Sequence, residues 1–256
     1  MARKPRELPL FLPALFLAAA LGAPAVPAHA GAPAAERAEV RQATTTLRTV
    51  FLMHGILRSS RAMKRIETAL RARGFSVVNL GYPSRSRTVE EHADWLAGQV
   101  RERGRGELYF VGHSLGAIVM RRYLGKARPA AARRLVMIAP PNRGSAMADT
   151  LSKTGLYRLI FGGKAAQELR SSRKDFWEGL PPPPVEFGII AGGLGNGKGF
   201  NPLLPGDDDG TLSVEETRLE GASDFRILPY QHTLILLRRR TAELTVRFLE
   251  TGKFGT

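Results

Sequence analysis

The chain contains no cysteine. That excludes a thiol nucleophile, a thiolate metal site and any disulfide, so the fold must be held by its core alone. It also lacks internal repeats and low-complexity tracts, which rules out solenoid, propeller and collagen-like architectures. Acidic residues are scarce beside basic ones, 23 against 38, for a net charge of +15. Such a surplus suits an anionic membrane or cell-envelope surface as a peripheral partner. No recognised nucleic-acid motif accompanies it, and no nucleic-acid partner is expected. The arginines are dispersed (Arg61, Arg65, Arg71, Arg73, Arg101, Arg103, Arg121, Arg122) and read as solvated charge on helix surfaces.

An uninterrupted membrane span is missing too. The apolar run from Leu8 to about Val26 is broken by Pro9, Pro13 and Pro24, with Pro27 just beyond it, whereas a spanning helix needs roughly 20 apolar residues. Arg3, Lys4 and Arg6 precede the run and Ala28-His29-Ala30 follows it, the pattern of a signal peptide over residues 1–30 cleaved before Gly31. The expectation is export, periplasmic or secreted, with an uncleaved membrane anchor as the rival. Cleavage removes three basic residues and one acidic, Glu7, lowering the charge from +15 to +13.

What is present is an alternation of short apolar runs with amphipathic stretches. After an alanine-rich linker (31–46), strands are expected at Arg48–Met53, Phe75–Leu80, Glu107–Val111, Arg134–Ile138, Val185–Ala191 and Phe225–Leu228. Helices are expected at Arg58–Arg73, Val89–Arg103, Leu115–Leu124 and Arg239–Glu250. This rhythm predicts an α/β domain (47–256) with a mostly parallel central sheet covered by helices on both faces. Residues Asn142–Pro184 carry no strand signal and end in four prolines. They read as a short, largely helical cap insertion, with Leu156, Leu159, Ile160 and Phe161 as apolar content.

Gly112-His113-Ser114-Leu115-Gly116 fits G-x-S-x-G. A pattern this short is weak alone, but here it follows a strand and opens a helix, the setting that lifts a nucleophilic serine out of a tight turn. The glycines leave room for the backbone to fold back, and the Leu115 N–H lies at a helix start beside Ser114. Acyl transfer needs a second donor for the developing oxyanion. His54-Gly55-Ile56, directly after the first strand, supplies the Ile56 N–H. Ser114 also needs a base. Of five histidines, His29 leaves with the leader, His54 sits in the oxyanion loop, His92 lies on a helix, and His113 packs beside the nucleophile. His232 remains, late in the chain between a strand and an apolar segment. The acid is expected among Asp207, Asp208 and Asp209, before Gly210. Their mutual repulsion predicts that one is buried against the imidazole while the others stay solvated or help bind a cation. A solvated turn or a calcium loop are the alternatives there, although EF-hand spacing is absent.

Met53-His54-Gly55, Gly-His-Ser-Leu-Gly and Ala139-Pro140-Pro141-Asn142-Arg143-Gly144-Ser145 together resemble bacterial lipases and related esterases of the α/β-hydrolase superfamily. Those enzymes carry His-Gly, Gly-His-Ser-x-Gly and Thr-Pro-His-Arg-Gly-Ser, and their acid often lies in Asn-Asp-Gly. The resemblance implies an α/β-hydrolase fold and a triad of Ser114, Asp209 and His232; that chemistry needs no cofactor, and no residue is assigned to a metal. It also implies a small-molecule or lipid ester as substrate, hydrolysed through an acyl-enzyme. It does not extend to the family's disulfide or to its histidine at position 142, and the insertion is short, so it gives no ground for long-chain triglyceride specificity. Thioesterase, amidase and acyltransferase activities share this triad, and a non-catalytic binding protein on the same fold is the reading from another class.

Overall fold

The computed structural model describes residues 46–152 and 163–255. The leader, nearly all of the linker, and Leu156, Leu159, Ile160 and Phe161 of the insertion lie outside these.

β1 (Arg48–Met53) has no polar residue from Val50 onward, as a strand covered on both faces requires. Val50 and Leu52 point to one layer, with Ile66 and Leu70 of α1 (Lys64–Ala72) and Phe248 of α8 (Arg239–Thr251). Phe51 and Met53 point to the other, with Leu96 of α2 (Val89–Arg103) and Ile118 of α3 (Leu115–Ala127). All these apolar side chains are buried, and removing them from water stabilises the sandwich by about 25 cal/mol per Å² of apolar surface.

The other strands are β2 (Ser76–Leu80), β3 (Glu107–His113), β4 (Ala132–Ile138), β5 (Glu186–Gly192) and β6 (Asp224–Leu228). They pair in the order β2-β1-β3-β4-β5-β6, every pair parallel. The order reverses between β1 and β3, and the crevice at such a reversal is where open parallel sheets bind ligands. Register sets Met53 opposite Gly112, and His113 opposite Ile138. The loop after β1 and the turn after β3 therefore emerge side by side.

Short helices α4 (Ala146–Ser152), α5 (Lys164–Glu168) and α6 (Lys174–Glu178) occupy the described part of the insertion. α7 (Val214–Thr217) follows the aspartate loop and starts with a Ser213/Glu216 capping box.

Two expectations are corrected. The first helix does not begin at Arg58. A 3-10 turn starts at Ser60, because the Arg58 N–H closes a tight turn on the Gly55 carbonyl at 3.3 Å. Arg121 is not on the surface: it is 3% exposed. Its guanidinium donates to the carbonyls of Leu180 and Pro181 and to the Asn142 side chain. Prolines have no N–H to pair their neighbours' carbonyls in a ladder, and here a buried cation satisfies those oxygens.

Candidate active site

Ser114 occupies the turn between β3 and α3 at φ 52°, ψ −123°, a strained conformation for a residue with a Cβ. The turn closes this tightly because a Cβ on Gly112 would lie 2.5 Å from the Ala117 backbone, and one on Gly116 2.5 Å from the Met53 carbonyl. Leu115 opens α3, so its N–H is among the four that a helix start leaves without an intrahelical acceptor.

Three of the expected residues form one hydrogen-bonded line. His232 Nε2 lies 3.1 Å from Ser114 Oγ, and His232 Nδ1 lies 2.7 Å from Asp209 Oδ2. A carboxylate only accepts, so Nδ1 carries the proton and Nε2 offers its lone pair to the serine O–H. Asp209 Oδ1 accepts from the N–H groups of Thr211 and Leu212 at 2.9 and 2.8 Å, charge-assisted bonds that fix the carboxylate plane. The His232 N–H also donates to the Asp209 carbonyl at 2.8 Å, locking the two loops together through the backbone.

The neighbouring aspartates differ from expectation. Asp208 is fully buried, as is Asp209. Repulsion does not expel it, because backbone N–H donors take the place of water around its carboxylate. Its Oδ1 accepts from the Gly210 N–H at 2.6 Å and the Asn201 N–H at 3.0 Å. Asp207 accepts from the N–H groups of Leu194 and Gly195, both at 2.7 Å. Each carboxylate thus organises a different stretch of loop, and Asp209 alone of the three bonds the imidazole.

The other singled-out histidines are neutral supports. His113 Nε2 lies 2.9 Å from the His232 carbonyl and must donate to it. Burial, then the nearby His232, holds the His113 pKa well below the ordinary value. His54 is likewise depressed by burial. Its Nδ1 donates to the Gly55 carbonyl at 2.8 Å, and Tyr82 Oη donates to the His54 carbonyl at 2.7 Å. Tyr82 stacks on the same ring with centroids 4.4 Å apart. This tyrosine, missed in the sequence, braces the Gly55-Ile56 loop. Its only local signal is the position after β2, next to the strand that carries the loop.

Above Ser114 opens a cavity of about 260 Å³. Ile56, Leu57, Arg58 and Leu212 form part of its wall, and Ser145, Met147, Ala148, Leu151, Ala166 and Leu169 of the insertion form much of the rest. A predominantly apolar pocket with a few convergent polar groups is what binds small molecules.

The parallel sheet, the switch-point crevice and the strand–Ser114–helix turn define an α/β-hydrolase fold. The chain belongs to the family described as a domain of unknown function, DUF7379, whose profile matches residues 23–161. That match includes Ser114 and ends before Asp209 and His232. No curated protein matches the chain. Among solved structures it is similar to the mature form of the lipase BlEst2 of Bacillus licheniformis, at 20% identity and a TM-score of 0.64, over 82% of this chain and 93% of that one. The lin2722 gene product of Listeria innocua gives 15% identity and 0.57, over 80% and 94%. The phospholipase PlaB of Legionella pneumophila gives 16% and 0.61, over 79% of this chain and 58% of that one.

Proposed function

We propose that this chain is a serine hydrolase of carboxylic esters. The observation that carries the reading is the line Ser114–His232–Asp209 at the floor of an apolar cavity. Ser114 Oγ attacks the ester carbonyl while His232 takes its proton, and the Asp209 carboxylate stabilises the imidazolium formed. The oxyanion is held by the backbone N–H groups of Ile56 and Leu115. His232 then protonates the leaving alcohol, and water, deprotonated by the same imidazole, cleaves the acyl-enzyme and restores Ser114. A lipase and a phospholipase among the similar folds agree with an ester or lipid ester as substrate.

The reading is tested by labelling with a fluorophosphonate and by hydrolysis of a p-nitrophenyl ester. Wild-type protein should label and turn over; Ser114→Ala should not label and should lose at least ~10³ in kcat. A Ser114→Ala protein keeping more than about a tenth of the wild-type rate overturns the assignment.

We further propose that the chain is exported through residues 1–30, with an anionic envelope surface as a peripheral partner of its basic exterior. Protein from its native host should begin at or within a residue or two of Gly31. An intact Met1 on membrane-bound protein would reverse this.

A further inference from the structure

Among the described residues lining the cavity above Ser114, Arg58 alone carries a full charge, histidines aside. The rest of the cavity's lining is mostly apolar and includes Ile56, Leu57, Leu151 and Leu212. Arg58 is exposed, and Nη2 donates to Thr233 Oγ1 at 3.2 Å. That bond joins segments 175 residues apart and places the guanidinium beside the residue that follows His232. No carboxylate among the described residues pairs with it. The acid of the site, Asp209, is buried and engaged by His232, Thr211 and Leu212. After burial and His232, the charge of Arg58 is a lesser influence that lowers the His113 pKa.

A guanidinium has five donors in a planar fork, and the Thr233 bond uses one of them. The fork matches a carboxylate or phosphate in two parallel bonds. Beside apolar walls such a pair is stronger than in open water. The arginines on the helix surfaces face solvent; this one lines a pocket that, among the described residues, holds no compensating carboxylate. We infer that Arg58 selects esters bearing an anionic group, a carboxylate or a phosphate, a few bonds from the scissile carbonyl. The inference rests on the ester-hydrolase reading of the same site and adds the charge of the substrate.

Two matched pairs locate the charge. On the acyl side, p-nitrophenyl hydrogen adipate is compared with p-nitrophenyl hexanoate; on the alcohol side, 3-acetoxybenzoate with 3-acetoxybenzamide. Background is taken from Ser114→Ala protein. In at least one pair the wild-type kcat/KM should favour the anionic member, and Arg58→Gln should lower that ratio roughly tenfold, the loss of a charge-assisted bond. Arg58→Lys should retain part of it, and about 0.5 M NaCl should erode it. A ratio that moves by less than about twofold in both pairs overturns the proposal. If no ester is turned over above background, the hydrolase reading fails, and calorimetric binding of the same pairs to Ser114→Ala protein then decides Arg58. Tighter binding of the anionic member, lost in Ser114→Ala/Arg58→Gln, upholds the selection. Equal binding of both members, or none, ends it.

Discussion

At the residue scale, three consecutive aspartates separate into three tasks because each meets different backbone donors. Asp209 lies against His232 Nδ1, whereas Asp208 is turned to the Asn201 and Gly210 N–H groups. Asp209→Asn presents an amide that favours the wrong imidazole tautomer, and kcat should fall on the order of 10⁴ with the fold intact. Asp208→Asn weakens buried charge-assisted bonds instead. It should lower unfolding free energy by roughly 1–3 kcal/mol while kcat changes less than about tenfold. Urea titration and p-nitrophenyl ester kinetics on both variants check this, and a collapse of kcat in Asp208→Asn with Asp209→Asn still active would move the acid one residue. Tyr82→Phe removes the bond to the His54 carbonyl but keeps the stacked ring. As a positioning effect it should lower kcat several-fold with KM little changed; a loss confined to thermal stability would make the tyrosine merely structural.

At the element scale, the site is assembled by loops that hold one another. Glu216 closes the capping box of α7, and its Oε1 also accepts from the Ala146 N–H at 2.6 Å, so the aspartate loop and the start of α4 share one side chain. On α4 itself, Asp149 accepts from the Ser171 hydroxyl and from the Ser172 N–H at 3.1 Å. This tie fixes the helix whose Met147, Ala148 and Leu151 wall the cavity. Asp149→Ala should loosen that wall and redistribute kcat/KM among acyl lengths, measured from acetate to laurate esters. An equal loss at every length, in protein that remains folded, would show that α4 does not set acyl preference.

At the scale of the whole molecule, burial of neutral histidines predicts an acid-labile fold. His92 is fully buried, and burial, then the charge of Arg87, pushes its pKa down to about 4. His54 and His113 are depressed as well, chiefly by burial. In the unfolded chain these rings titrate near 6.5. Between about 6.5 and about 4 the unfolded state therefore holds more protons, and stability rises with pH through that window. It is fully present above the window and is lost as pH falls through it, each histidine adding a slope of up to about 1.4 kcal/mol per pH unit. Urea midpoints measured from pH 7.5 to 4.5 should fall steeply in wild type, and less steeply in His92→Leu. Parallel slopes in the two proteins would remove His92 from this account.

The amino-acid sequence by itself determined the strand–helix alternation, because apolar period and glycine punctuation are local properties. It also singled out Ser114 and His232, since a serine at a strand-to-helix turn between glycines is a local backbone device. The order of the strands and the pairing of partners far apart in the chain were decided by tertiary structure. Register alone set Met53 opposite Gly112 and brought the His54 loop against the elbow. The burial of Asp208 and of Arg121 could not be read in sequence, because a charge is expelled or accepted according to the donors and carbonyls that fold around it. Arg58 shows the same division: apolar spacing made it the first residue of a helix, and a turn closed on Gly55 put it among the residues lining the cavity instead.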